Sequence, residues 1–249
     1  MAGLVGACIG SFLTLATYRL PRDEPIGLTR SRCPSCGVTL KALDLIPIVS
    51  WLLNAGRCRH CNARIGVRYV LTELACAAGT VFIVNHYGVT LEALALAGLW
   101  WSVVAIIVTD LEHYIILDEV QIVIGLFGIL HAYVLELSAA AVAIAAFAGA
   151  VIGLSLKYGF LYFRHKDALG MGDVKFLFVA GIWLASAANF VPFLFFSGVL
   201  GVVVGISWRL LGAGERFPFG PALATALLIG VMAPDTANRF WQLYGWLQN

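Results

Sequence analysis

The sequence predicts an all-α polytopic membrane protein of about eight transmembrane helices, interrupted by one small polar insertion. Three observations carry this expectation. Of 249 residues, 61% are hydrophobic and only 12% charged, more apolar surface than a soluble core of this size can hide. The apolar residues gather in runs approaching the ~20 positions that a helix needs to cross hydrocarbon. Basic residues fall almost entirely in alternate connections between those runs. A net charge of +2 gives no reason to expect nucleic acid or an acidic partner, so membrane lipid is the partner implied by composition.

The runs lie near 2–17, 69–85, 91–109, 115–135, 139–163, 174–186, 190–211 and 219–232, the first and sixth being short. Their backbone must be helical, because lipid supplies no hydrogen-bond partners. The first run has no basic leader and ends in "YRLPRDE", a charged stop, so it reads as a retained span. This divides the chain into a first transmembrane helix (1–19), a polar insertion (20–68) and a transmembrane helical core (69–249).

Arg19, Arg22, Arg30, Arg32, Lys41, Arg57, Arg59, Arg64 and Arg68 separate the first two runs. Arg164 and Lys166 precede the sixth, and Arg209 and Arg216 separate the seventh from the eighth. Arg239, in the tail, is the one clear basic residue on the other side. The positive-inside rule then places the insertion in the cytoplasm and both termini outside.

Within the insertion, "CPSC" and "CRHC" supply Cys33, Cys36, Cys58 and Cys61. Two Cys-x2-Cys knuckles, brought together by the intervening hairpin, make a zinc-ribbon-like tetrahedral site. A disulfide reading would need an oxidising compartment, which the charge pattern does not give. A closed four-thiolate site supplies folding rather than chemistry, and this insertion has little core of its own. His60 is a bystander, and Cys8 and Cys76 read as small apolar residues within spans.

Asp110 ends the third run and Asp173 precedes the sixth, so topology puts both at the cytoplasmic face. Ionisable groups at the edge of hydrocarbon are costly and mark functional candidates. Two carboxyl groups in a partly dry site share a proton, which suits peptide hydrolysis without a covalent intermediate. Each has a plain alternative: Asp173 as a helix cap, Asp110 as an interfacial residue beside Glu112 and His113. Asp118, at the start of the fourth run, is a third acid at the same face, and topology does not choose among the three. Gly170 and Gly172 permit close backbone approach and unusual dihedrals around Asp173. Lys175 suits a local ion pair or snorkelling to headgroups.

In order along the chain, "GSFLTLATYRLP", "CPSC", "CRHC", "TDLEHYIILDE", "GMGDVK" and "FPFGP" resemble the bacterial prepilin peptidases, the type IV leader peptidases of pilus and type II secretion systems. The resemblance runs from Gly10 to about Pro221. It implies a Gly-x-Gly-Asp intramembrane aspartic protease of the bacterial inner membrane, acting at the cytoplasmic face. Such enzymes remove the basic leader of prepilins or pseudopilins, typically just after a glycine. Many then methylate the new N-terminus with S-adenosylmethionine. By motif, Asp110 and Asp173 become the catalytic pair, Gly170, Gly172 and Lys175 the supporting loop, and the four insertion cysteines the metal site. No nucleotide-binding loop is evident, and Glu73, an acid within the second run, is the candidate for the methyl donor; a helix-packing acid is its alternative. Thr14 stands where relatives often have asparagine, and Leu117 where they often have proline.

A transporter or proton channel would also carry aspartates in helices, but near the midplane and often within internal repeats. A pure scaffold leaves Asp110 and Asp173 without a reason. Nothing in the sequence sets an oligomeric state.

Overall fold

The structure is a computed structural model and describes residues 1–27, 30–165, 169–212, 214, 217–233 and 235–247. Lys166 and Arg216, two of the topology-setting charges, lie outside the described residues. The chain forms two compact units, 1–89 and 90–249.

In the first unit, α1 (Ala2–Arg19) lies along the later helix α3 (Val67–Tyr87), with the polar insertion between them in sequence. Glycines on α1 allow the close approach: a Cβ at Gly10 would stand 2.7 Å from the Glu73 Cα. At one end Arg68 donates to the Thr17 hydroxyl (2.7 Å), tying the start of α3 to the end of α1. The buried Thr14 hydroxyl turns back to the Ser11 carbonyl.

The insertion contains no β-strand among its described residues, only one antiparallel bridge per knuckle, Arg32 with Thr39 and Arg57 with Arg64. The expected hairpin between the knuckles is instead a 3-10 turn, Ala42–Leu45, followed by the one-turn α2 (Val49–Leu53). Asp44 explains the difference: its carboxylate accepts the Lys41 amide (3.0 Å) and closes a turn where a strand would have to begin.

The second unit holds α4 (Leu91–His113), α5 (Asp118–Val134), α6 (Ala139–Arg164), α7 (Met171–Leu184), α8 (Ala187–Leu210), α9 (Gly220–Met232) and α10 (Asp235–Leu247). Among the described residues, each expected run is a helix, and five helices are long and apolar enough to cross a membrane: those at 2–22, 67–87, 91–113, 139–163 and 188–210. The others are shorter, with α5 at 17 residues, α7 at 14 and α9 at 13.

Helix α7 lies inside the unit, packed on α5, α6 and α9, with Phe176, Leu177, Ala180 and Trp183 buried. Gly149 on α6 meets the Leu177 carbonyl, and a Cβ on Gly153 would stand 3.0 Å from the Leu177 side chain. These glycines therefore serve helix packing. Pro192 lies inside α8 and has no amide to donate to the Ala188 carbonyl. The Trp241 indole on α10 donates there instead (3.0 Å). The tail, where the apolar runs predict no helix, forms α10.

Candidate active site

Asp110 is in the last turn of α4, before the chain turns at Tyr114 (φ 57°) and runs through buried Ile116 and Leu117 into α5. It is 5% exposed. Its Oδ2 accepts the Gly220 amide at 2.7 Å, the first residue of α9. The amides at a helix start have no intrahelical acceptor, so a carboxylate there satisfies a donor and faces the positive end of the helix dipole. A Cβ on Gly220 would lie 2.8 Å from that same oxygen, so only glycine fits. The "FPFGP" segment therefore touches Asp110 directly. Phe217 and Phe219 rest over Gly205 and Gly201 of α8.

Asp173 is half-buried in the first turn of α7. Its Oδ2 accepts the Gly170 amide at 3.0 Å. The two aspartates are thus held alike, each by one oxygen on a glycine amide at a helix start. Among the described residues no protein donor takes either Oδ1. They come from helices far apart in sequence, yet the structure brings them near enough to interact electrostatically.

Two side chains brace the loop that carries Asp173. Lys157, from α6, donates to the Leu169 carbonyl (2.8 Å) and places its charge near Asp173. Gln121, buried on α5, donates to the Gly172 carbonyl (3.3 Å). Sequence reading missed both. Lys157 did carry a signal, being a lone charge inside a long apolar run. Gln121 carried none, since a polar residue in the first turn of a helix is ordinary.

Gly170 and Gly172 do not need unusual dihedrals: Gly170 has φ −63°, and Gly172 is not among the described positive-φ glycines. Their use is close approach, with the Cβ of Ile116 3.4 Å from where a Gly172 Cβ would be. Asp118 is exposed, and both its oxygens take the Lys175 ammonium, at 2.7 and 2.8 Å. The ion pair joins the starts of α5 and α7. Leu117 has φ −67°, the angle a proline would impose, so the leucine leaves the start of α5 as proline would set it.

In the first unit, the sulfurs of Cys33, Cys36, Cys58 and Cys61 all lie within 4.8 Å of one another, Cys33 and Cys61 being 3.9 Å apart. Four thiolates at ~2.3 Å from one zinc ion would be spaced by ~3.8 Å. The two knuckles repeat one design. Cys33 and Cys58 each donate an amide to the residue five places on, at Val38 and Ala63, and the position after the second cysteine is left-handed. Gly37 (φ 71°) and Asn62 (φ 56°) occupy it, the residue types that tolerate it best.

The Cys36 amide holds the Cys33 thiol down at about 7. The Ala63 amide pulls Cys61 the same way, but burial and the three neighbouring sulfurs push it up to about 12. Four thiolates so close repel unless a cation sits among them, so the donor set fits a metal. His60 is exposed and outside the cluster. Glu73 is buried on α3, and its Oε2 accepts the Ile48 amide at 2.6 Å.

The comparisons divide the chain where the structure does. The model of the bacterial peptidase A24 N-terminal domain matches residues 4–87, and that of the type IV leader peptidase family matches residues 96–206. Proteins named prepilin leader peptidase/N-methyltransferase are similar along almost the whole length. One from Pseudomonas putida is 33% identical, covering 94% of this chain and 90% of that protein. One from Aeromonas hydrophila is 33% identical, covering 98% and 93%. A third, from Pseudomonas aeruginosa, is 32% identical, covering 95% and 90%. No solved structure matches the chain. With one family model on each side of the boundary between its units, and relatives matched along almost all of the chain, this membrane protein belongs to the type IV leader peptidase family.

Proposed function

We propose that the chain is an intramembrane aspartic endopeptidase of the inner membrane that removes the basic leader from prepilins or pseudopilins at the cytoplasmic face, and that it then N-methylates the new terminus. What supports the protease reading is that Asp110 and Asp173 lie within electrostatic reach of each other, each restrained through one oxygen by a glycine amide.

The ionised member of the pair takes a proton from a water molecule as that water attacks the scissile carbonyl carbon. The protonated member gives its proton to the carbonyl oxygen. Collapse of the tetrahedral adduct breaks the C–N bond: the carboxyl that took the water's proton passes it to the leaving amine, and the other carboxylate takes a hydroxyl proton from the adduct, which leaves as a carboxylic acid. The Gly220 and Gly170 amides hold the carboxyl planes while the protons move. Lys157 and Gln121 act through the loop and not on the substrate. Asp118 is engaged by Lys175, which argues against it as the second acid.

Cys33, Cys36, Cys58 and Cys61 would hold a structural zinc ion, which supplies folding of the insertion and no step of hydrolysis. S-adenosylmethionine is the methyl donor that the family resemblance suggests. Glu73, buried on α3 with one oxygen on the Ile48 amide, is the residue proposed to face it.

The test is leader removal from a prepilin by the protein in lipid discs, read by mass. Asp110→Asn and Asp173→Asn are each expected to abolish cleavage, and Asp118→Asn to keep it. Normal cleavage by either of the first two, with Asp118→Asn inactive, would overturn the pairing. A further gain of one methyl group on adding S-adenosylmethionine tests the second activity separately.

A further inference from the structure

The stretch Ala42–Leu53 has its polarity inverted for a polar insertion. Leu43, Leu52 and Leu53 are 62%, 61% and 77% exposed, and Leu45, Ile46 and Val49 are exposed as well. Meanwhile Trp51 of α2 turns inward, its ring over Gly56 and its indole donating to the Ile65 carbonyl (3.3 Å). A soluble turn of this size would hide its leucines first. An exposed apolar cluster of this kind marks a docking surface.

Its position says what docks. The Val49 amide bonds the Pro47 carbonyl at 2.6 Å across Ile48, which has φ 64° and ψ −53°. That is the strained form of the γ-turn, and a β-branched residue adopts it only when its surroundings hold it there. What holds it is Glu73, through the 2.6 Å bond from the Ile48 amide. Glu73 lies six residues into α3, about 9 Å from the start of a helix long and apolar enough to cross a membrane. The strained turn is therefore fastened beside a spanning helix, inward of its first turn, where exposed Val67, Leu71 and Leu74 are α3's own apolar face. Basic residues flank the stretch at Lys41, Arg57, Arg59 and Arg64, with Asp44 the single acid within it and Arg59 beside that acid at 3.6 Å. Positive charge around an apolar wedge complements an anionic headgroup layer over acyl chains.

We propose that Ala42–Leu53 is a lipid-docking segment, immersed in the membrane interface through Leu43, Leu45, Ile46, Val49, Leu52 and Leu53. Glu73 is its buried latch. The docking holds the thiolate cluster at the membrane surface, and the proposal stands whatever the chain's catalytic activity.

The full-length protein is placed, one copy per disc, in phosphatidylethanolamine–phosphatidylglycerol discs doped with a phospholipid carrying a diazirine on its acyl chain. After illumination, digestion and mass spectrometry locate the label. Residues 42–56 should be labelled within about two-fold of residues 67–74, the lipid-facing start of α3. The double variant Leu52→Glu, Leu53→Glu should lose label in 42–56 by about five-fold or more, with 67–74 unchanged. Metal content of the purified variant reports whether the insertion still folds, and labelling of the parent decides the matter without it. Label in 42–56 below about a tenth of that in 67–74 overturns the proposal. Loss of that label on adding prepilin, or its loss in discs holding two copies, also overturns it, by assigning the surface to substrate or to a second chain.

Discussion

The insertion of the first unit and the helix bundle of the second reach order by opposite means. The insertion has two one-bridge knuckles and a one-turn helix, and Leu43, Leu45, Leu52 and Leu53 face outward. What gathers it is four sulfurs within 4.8 Å. The bundle surrounds α7 with α5, α6 and α9, and buries Phe176, Leu177, Ala180 and Trp183 there. Its carboxylates sit where packing holds them. The contrast teaches that one chain can be chemically cross-braced where apolar burial fails and sterically braced where it succeeds.

Removing the zinc ion proposed for the four thiolates should separate the two regimes most strongly. Structural zinc in small tetrathiolate modules contributes on the order of 10 kcal/mol at neutral pH, more than this insertion can replace by packing. A strong chelator, or Cys58→Ser, is expected to abolish hydrogen-exchange protection of the knuckle amides at Cys33 and Cys58. Amides of α4, α7 and α9 should keep theirs. Equal loss in both regions would overturn the contrast, because the bundle would then rest on the proposed zinc ion as much as the insertion does.

The next effect should be steric and confined to the bundle. Gly220→Ala puts a methyl group 2.8 Å from Asp110 Oδ2, so carboxylate or helix must move. Displacement of a reacting group by about 1 Å lowers turnover by about 100-fold, with substrate binding little changed. Cleavage kinetics and a melting curve separate this from unfolding.

A smaller loss should follow Lys157→Met, which removes a charged donor from the Leu169 carbonyl. Such bonds are worth about 1.5–3 kcal/mol, so kcat should fall by about 10–100-fold. KM should hold, because Lys157 acts on the loop and not on the substrate. Lys157→Arg should restore part of the rate; a rise in KM alone would move the residue to the substrate path.

The smallest effect belongs to Leu117→Pro. The native φ of −67° already suits proline, so stability should change by less than about 1 kcal/mol, with any gain arising in the unfolded chain. A loss of several kcal/mol, read from the melting curve, would mean that the leucine side chain, buried here, matters more than the backbone angle.

Much of this was legible in the linear chain, for identifiable reasons. Hydrocarbon demands long apolar helices, so α1, α3, α4, α6 and α8 announce themselves by composition. The knuckles were legible because two cysteines three apart reach one metal with little help from the rest of the fold. The short α7 and α9 were harder to bound, because their ends are set by Gly170, Ala185 and Gly220 and not by the width of a membrane. The hairpin expected between the knuckles gave way to a 3-10 turn because one local carboxylate, Asp44, outcompeted strand pairing.

By itself the sequence determined the class of fold, the thiolate set and three acids at one membrane face, since each follows from local chemistry: apolar runs, Cys-x2-Cys spacing, and charge at the edge of hydrocarbon; the family motif then singled out Asp110 and Asp173. Only the tertiary structure decided that Asp118 goes to Lys175, that "FPFGP" delivers the Gly220 amide to Asp110, and that Lys157 and Gln121 brace the Asp173 loop. The physical reason is range. A hydrogen bond is made or lost over less than an ångström, and between residues distant along the chain that distance is set by how whole helices pack.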